Sequence, residues 1–330
     1  MTWLSDSVIA RLRNIADWPT PSDARYDILE PLARGGMGTI YLAHDRVLDR
    51  SVVFKVLSTP SSPSNEHALA SRLELEARIL ARLNHPGIVP VYDLGVLDDG
   101  RPYYVMKRVE GPTLAEYAPT VRSLAERMRL FLRICEPVAF AHASGVIHRD
   151  LKPENVMVGP FGEVLVMDWG VAKLVAPHDE ETTESDGADS GRISPSRQTR
   201  HGTVLGTRGY MAPEQARGEA RIDARADVHA LGAILSFLLG SVPPAESGPL
   251  SSVRPLQAIA RKACSSDPVE RYQDVALLMA DVGRFLAGDP VSAYQERPME
   301  RLGRFARKHR IALLLMLAYL VMRILVALAR

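Results

Sequence analysis

The chain has 330 residues, 46% hydrophobic and 24% charged, with 40 Lys+Arg against 39 Asp+Glu for a formal charge of +1. At about 150 residues per domain this is room for roughly two structural units and a sizeable core, and the composition excludes a wholly disordered, collagen-like or multi-span membrane protein. The balanced charge leaves no overall electrostatic case for nucleic acid, and two cysteines, Cys135 and Cys264, are too few for a disulfide scaffold or zinc cluster and read as small buried residues in a reducing compartment.

Residues 1–25 read as an N-terminal extension. Their apolar stripe, Val8, Ile9, Leu12 and Ile15, is too short and broken for a signal-peptide core, and ordered structure is expected from about Tyr26. From there to Val109, β-rich runs alternate with turn signals and predict strands over Tyr26–Leu32, Ile40–His44, Ser51–Leu57, Val89–Leu94 and Tyr103–Arg108. One helix interrupts them, because Leu69, Leu73, Glu76, Leu80 and Leu83 recur at spacings of four and three, a single helical face. Leu114–Ala143 and Ala226–Phe285 are mostly helical in pattern, with Val156–Met167 a small hairpin between them. A small strand-rich lobe, 26–109, therefore precedes a larger helical lobe, 110–289. Between Val175 and Gly202 the apolar pattern vanishes and six acids, Asp179 to Asp189, precede Arg192, Arg197 and Arg200. A connection this long is functional, disordered or both.

After a basic stretch, 290–310, residues 311–329 carry a single charge, Arg323, and predict a transmembrane helix. Eleven Leu, Ile and Val residues at about −0.4 kcal/mol each outweigh the cost of about +3 kcal/mol for a central arginine. Arg323 is the thirteenth of the nineteen, off centre and able to snorkel outward. Arg301, Arg304, Arg307, Lys308 and Arg310 precede the segment, so the positive-inside rule leaves the folded part of the chain cytoplasmic on a single-pass anchor. Only Arg330 follows, so an outside signal is expected to arrive through another protein or through pairing of the span.

Three constellations carry chemistry. Ala33-Arg34-Gly35-Gly36-Met37-Gly38-Thr39-Ile40 is a glycine-rich turn between two strands, where backbone N–H groups can approach phosphate oxygens; taken alone it equally fits a hairpin with no ligand. Lys55 closes the apolar run Val52-Val53-Phe54 and needs a compensating anion if buried, or solvent if the strand is an edge. Glu76 lies on the apolar stripe of the intervening helix and faces inward, whereas Glu74 lies off it, which makes Glu76 the preferred partner. The third is His148-Arg149-Asp150-Leu151-Lys152-Pro153-Glu154-Asn155, followed after the hairpin by Asp168-Trp169-Gly170. Asp150 can accept a hydroxyl proton, Lys152 can neutralise charge on a moving phosphoryl group, and Asn155 and Asp168 offer the hard oxygens that magnesium prefers.

These segments resemble the eukaryotic-type protein kinases, and within them the bacterial serine/threonine kinases, from about Tyr26 to Phe285. The glycine-rich loop, strand lysine, helix glutamate, catalytic loop, metal aspartate and Ala212-Pro213-Glu214 occur in the family's order. The resemblance implies a two-lobed α+β protein-kinase fold over 26–289, with an activation segment at 168–214 and the C-terminal transmembrane helix appended. It implies ATP with Mg2+, or Mn2+ in its place, and transfer of the γ-phosphoryl group to Ser/Thr hydroxyls of protein substrates. Catalysis falls to Asp150, Lys152, Asn155, Lys55 and Glu76. Nucleotide contacts fall to Leu32, Ala33, Arg34, Gly35, Gly36, Met37, Gly38, Thr39, Ile40, Lys55, Met106 and Arg108, and metal ligation to Asn155 and Asp168. Met106 takes the gatekeeper position, Lys107 to Val109 the hinge, and Asp227 braces the catalytic loop, while Glu214 pairs with Arg271.

Three residues depart from the family pattern: Ala33 replaces the first loop glycine, Val53 the alanine before the Ile-Lys pair, and Trp169 the phenylalanine of the metal motif. Ala33 is expected to strain a positive φ by roughly 1 kcal/mol, and Val53 to add bulk over adenine. Only Ala245 to Val253 stands where the family has an extra helix. Thr199 and Thr203 precede Gly206, where phosphate could pair with Arg149, and autophosphorylation between two copies is the simplest input. The alternative reading is a pseudokinase scaffold that signals by nucleotide-dependent contacts. A small-molecule phosphotransferase lacks support, because Ala212-Pro213-Glu214 belongs to the protein-substrate branch.

Overall fold

The structure, a computed structural model, describes residues 18–21, 24–34, 38–57, 63–169, 173–174, 209–219, 222–240, 253–296 and 298–328. Five antiparallel strands, β1 (Tyr26–Arg34), β2 (Gly38–Asp45), β3 (Arg50–Leu57), β4 (Val91–Val96) and β5 (Pro102–Lys107), form one sheet in the order β1-β2-β3-β5-β4. The predicted strands lie within two residues of these bounds. Alternation along β3 sorts its side chains onto two faces. Val52, Phe54 and Val56 join Tyr26, Tyr41, Tyr103 and Val105 in an outer cluster, with Phe54 stacked on Tyr103 at 4.8 Å. Val53 and Leu57 face the other way, onto Leu73, Ala77 and Leu80 of helix α1 (Pro63–Arg82). Lys55 lies between them in the period of two, so the sheet delivers its ammonium to the α1 side.

Described residues before Tyr26 already pack against the sheet. Trp18 meets Tyr41 edge-on at 5.8 Å, Pro21 bridges Leu97, and Arg25 forks onto the buried Asp45 at 3.0 and 2.9 Å. The Arg25 hydrogen bonds hold the Asp45 carboxyl down at about 2 against the opposing effect of burial. The end of the extension docks because it covers apolar sheet and gives the buried Asp45 carboxylate a forked partner beside Arg50, which lies 3.5 Å away.

The helical lobe runs through α2 (Leu114–Tyr117), α3 (Leu124–Ala143), β6 (Val146–Ile147), the hairpin β7 (Val156–Val158) and β8 (Val164–Val166), β9 (Lys173–Leu174), α4 (Pro213–Ala216), α5 (Arg225–Gly240), α6 (Arg254–Ala263) and α7 (Val275–Ala287). Local chemistry sets their ends. Ser123 caps α3, Asp274 accepts from Leu277 N–H at 2.7 Å to cap α7, and Gly288 closes α7 at φ 74°. Helix α5 is buried along most of its length, through Asp227, Leu231, Ile234, Leu235 and Leu238, and forms the centre of the lobe. Both cysteines are free, Cys135 buried and Cys264 half-buried.

Two helices follow, α8 (Pro298–Lys308) and α9 (Arg310–Leu328). Among the described residues no helix is long and apolar enough to cross a membrane. Helix α9 is continuous over 19 residues.

Candidate active site

The cleft is built from the buried side outward. Register places Lys55 of β3 opposite Tyr104 of β5. Lys55 Nζ donates to Glu76 Oε1 at 2.7 Å and to Asp168 Oδ1 at 3.1 Å, which ties the sheet to α1 and to the helical lobe. Glu76 is 3% exposed beside Leu73 and Ala77 on the inner face of α1, whereas Glu74 points outward to Arg78 at 3.6 Å. Burial alone would lower the Lys55 pKa, but the two carboxylates outweigh it and hold the ammonium charged. Burial would likewise raise the Asp168 carboxyl, and Lys55 keeps it below the ordinary range.

The loop from His148 to Asn155 hangs from Asp227. This buried carboxylate accepts the backbone N–H groups of His148 and Arg149, both at 2.8 Å, and lies 2.7 Å from His142 Nε2. Burial pushes its pKa up, but the His142 contact and the backbone donors bring it below the usual value. Held this way, Arg149 adopts φ 70°, and Asp168 sits at φ 58°, left-handed conformations that cost non-glycine residues about 1–2 kcal/mol. Lys152 Nζ donates to Asp150 Oδ2 at 2.8 Å. Asn155 spends its amide hydrogens on Asp150, on O at 2.8 Å and on Oδ2 at 3.1 Å, so its own oxygen is left as an acceptor. Met167 N–H donates to Asn155 O at 2.8 Å and sets Asp168 alongside this group.

Trp169 fits its position without strain. It is fully buried, its Nε1 donates to Val166 O at 3.2 Å, and its ring lies 4.6 Å from that of His148, which contacts Met167 O at 2.9 Å. Ala33 brings a correction: among the described non-glycine residues only Asp49, Arg149 and Asp168 have positive φ, and Ala33 pairs with Ile40 in β1 just after a register shift at Pro31. The expected strain does not arise, because the strand continues through Arg34 before the turn.

Leu32, Ala33 and Arg34 are exposed on β1, and Gly38, Thr39 and Ile40 open β2. Gly35, Gly36, Met37, Gly170, Thr199, Thr203, Gly206 and Thr207 lie outside the described residues, as does the stretch 245–252. A side chain at Gly38 would come within 2.2 Å of Val56 O, so close packing against β3 already demands glycine there. Val53 lies opposite Met106, a buried pair, and Arg108 is half-buried just beyond β5. At the far end of the activation segment Glu214 and Arg271 form a bidentate pair at 2.6 and 2.7 Å, and Gln215 Nε2 donates to Arg149 O at 2.8 Å.

No group of three or more His, Cys, Asp or Glu suited to a metal ion occurs among the described residues. Asn155 and Asp168 are a two-donor oxygen set, the chemistry that suits magnesium held partly by phosphate oxygens and water. Two residues of this site were not identified from the sequence: Tyr104, whose hydroxyl donates to Glu76 Oε1 at 2.9 Å, and His142. The alternation of β5 marks Tyr104 as sharing a face with Met106. Nothing local marks His142.

A model of the protein kinase domain matches residues 26–279. The serine/threonine-protein kinase PknD of Chlamydia caviae is 35% identical over 299 residues, covering 81% of this chain and 32% of the relative. PknD of Protochlamydia amoebophila is 33% identical over 308 residues, 82% of this chain and 30% of the relative. The chain thus spans about a third of the length of these curated relatives. The crystal structure of the Mycobacterium tuberculosis PknI kinase domain matches with a TM-score of 0.56 at 24% identity, over 80% of this chain and 96% of that one, a likeness of fold. On the match over 26–279 and the ordered motifs, this chain belongs to the protein kinase family, in its bacterial eukaryotic-type serine/threonine branch.

Proposed function

We propose that the cleft transfers the γ-phosphoryl group of Mg-ATP to Ser and Thr hydroxyls of proteins, this chain included. The convergence of Lys55, Glu76, Asp150, Lys152, Asn155 and Asp168 carries this reading, with Lys55 and Asp168 in contact from 113 positions apart. Magnesium held by the oxygens of Asp168 and Asn155 would supply charge neutralisation at the phosphates. Lys55 binds and orients phosphate oxygens, and Glu76 keeps its ammonium charged and aimed. Asp150 orients the acceptor hydroxyl and takes its proton, while Lys152, 2.8 Å from that carboxylate, offsets charge on the transferring group. Arg149 keeps a buried Nε without a hydrogen-bond partner, a spare donor for phosphate on Thr199 or Thr203.

Incubation of the purified full chain with γ-labelled ATP, magnesium and a generic basic protein tests this. Label on serine and threonine of both proteins, located by mass spectrometry, is expected. Nucleotide binding with no transfer above background would overturn the proposal and leave the pseudokinase scaffold.

The proposal extends to a single-pass membrane anchor at 311–329, with the kinase domain cytoplasmic. Along α9, Ile311, Leu313, Met316, Tyr319, Val321 and Ile324 are exposed, and at 100° per residue they surround the helix. A helix apolar on every side belongs in a protein core or in lipid. Alkaline carbonate treatment of membranes is expected to leave the full chain in the pellet and to release a chain lacking 311–330; release of both would end this part of the proposal.

A further inference from the structure

Tyr104 is outside the roles set out above, yet it closes the polar network at its buried end. It stands opposite Lys55 in the β3–β5 register, is 2% exposed, and gives its hydroxyl hydrogen to the Glu76 oxygen that also accepts from Lys55. The ammonium lies 5.7 Å from the tyrosine ring centroid, within cation–π reach. The face around it is apolar, with Val53, Leu57 and Met106 in the same core, so a phenylalanine would meet every packing need. A hydroxyl is tolerated at such a depth only when it is hydrogen-bonded. Burial, reinforced by the Glu76 charge, raises the phenol pKa well above its ordinary value, so the group stays protonated as a donor at all physiological pH.

Lys55 divides its hydrogen bonds between Glu76 and Asp168. A polyphosphate entering the cleft competes for the same ammonium, and each bond it draws away weakens the hold on a nearly buried carboxylate. The Tyr104 bond does not depend on where Lys55 points.

We propose that Tyr104 is a positioning residue that fixes Glu76, and through it helix α1 and the aim of Lys55, whether or not nucleotide is present. The catalytic part of this inference rests on the reading of the cleft as a Mg-ATP site. The part concerning α1 does not.

The full chain carrying Tyr104→Phe keeps the ring and its volume. Without nucleotide, hydrogen exchange is expected to speed up around Glu76 in α1 while β3 and β5 stay as in the parent chain. With Mg-ATP, kcat/KM for ATP is expected to fall roughly tenfold, the size of one charge-assisted hydrogen bond, with KM carrying more of the change than kcat. A purely structural loss would instead lower the active fraction and leave KM alone. Adding Tyr104→Phe to Glu76→Ala, where no carboxylate remains to be held, should leave the affinity for a fluorescent ATP analogue unchanged. Parental exchange in α1, an unchanged KM, or a further affinity loss in the double variant would each overturn the proposal. Faster α1 exchange in the variant, with a parent chain that neither binds nor uses ATP, would instead refute the Mg-ATP reading and leave the lock on α1 standing.

Discussion

Asp150→Asn in the full chain is expected to lower kcat by about 10²–10⁴ while leaving the affinity for ATP and the unfolding temperature close to those of the parent. Three features of the site set this expectation. The substitution is isosteric, and Asp150 is partly open to solvent, so the exchange neither opens a cavity nor strands a deeply buried charge. The groups that would hold the nucleotide phosphates, Lys55 with Glu76 and Asp168, make no hydrogen bond to Asp150. What disappears is the carboxylate that accepts from both Lys152 and Asn155, and with it the site to which an acceptor hydroxyl can deliver its proton. Initial rates with labelled ATP, beside a binding isotherm for a fluorescent analogue, separate the two effects. Full activity in the purified variant would remove Asp150 from the mechanism.

The largest stability effect is expected at the other end of the activation segment. Arg271 is fully enclosed, and its guanidinium serves Glu214 at 2.6 and 2.7 Å, Ser265 O at 2.7 Å and Arg225 O at 2.9 Å. Arg271→Ala leaves the Glu214 carboxylate buried without its cation, a change that typically costs about 3–5 kcal/mol. For a domain of this size that is a drop in Tm of roughly 6–15 °C. Arg271→Lys should recover only part of it, because an ammonium cannot fork onto both carboxylate oxygens. The pH dependence has a definite sign. Burial pushes the Glu214 carboxyl up, Arg271 outweighs it, and the folded pKa lies below the usual value. The pair therefore stabilises the parent above the ordinary carboxylate range, near pH 4.3, and that contribution fades as pH falls through the folded pKa. In the alanine variant the main opposition to burial is gone and the ionised carboxyl is destabilising, so the gap between the two proteins should narrow on acidification. A gap of constant size across that range would show that Glu214 is not the group responsible.

Much of this molecule could be read from spacing alone. Periods of two and of 3.6 residues are local properties, and they placed the five strands to within two residues and put Glu76, not Glu74, on the inner face of α1. The loop from His148 to Asn155 was legible for a related reason: it is a contiguous run whose residue types suit one chemistry at one spacing. Trp169 could be recognised as a departure, but its bond to Val166 O and its contact with His148 could not, since both depend on how the chain turns after β8.

The remainder depended on partners far apart in the chain. Tyr104 meets Lys55 because β3 pairs with β5 and leaves β4 at the edge, an order no local signal encodes. Asp227 and His142 are 85 positions apart, and Arg149 holds its left-handed conformation with its N–H donated to that same carboxylate. Trp18 and Arg25 carry no periodic signal, yet they dock because the finished sheet presents Tyr41 and the buried Asp45 to them. Periodicity and motif thus settle which face each residue presents, through steric and hydrogen-bond geometry acting over a few residues. Which charges meet inside the fold is settled by packing, where an isolated buried ion is so costly that only arrangements supplying its partner survive.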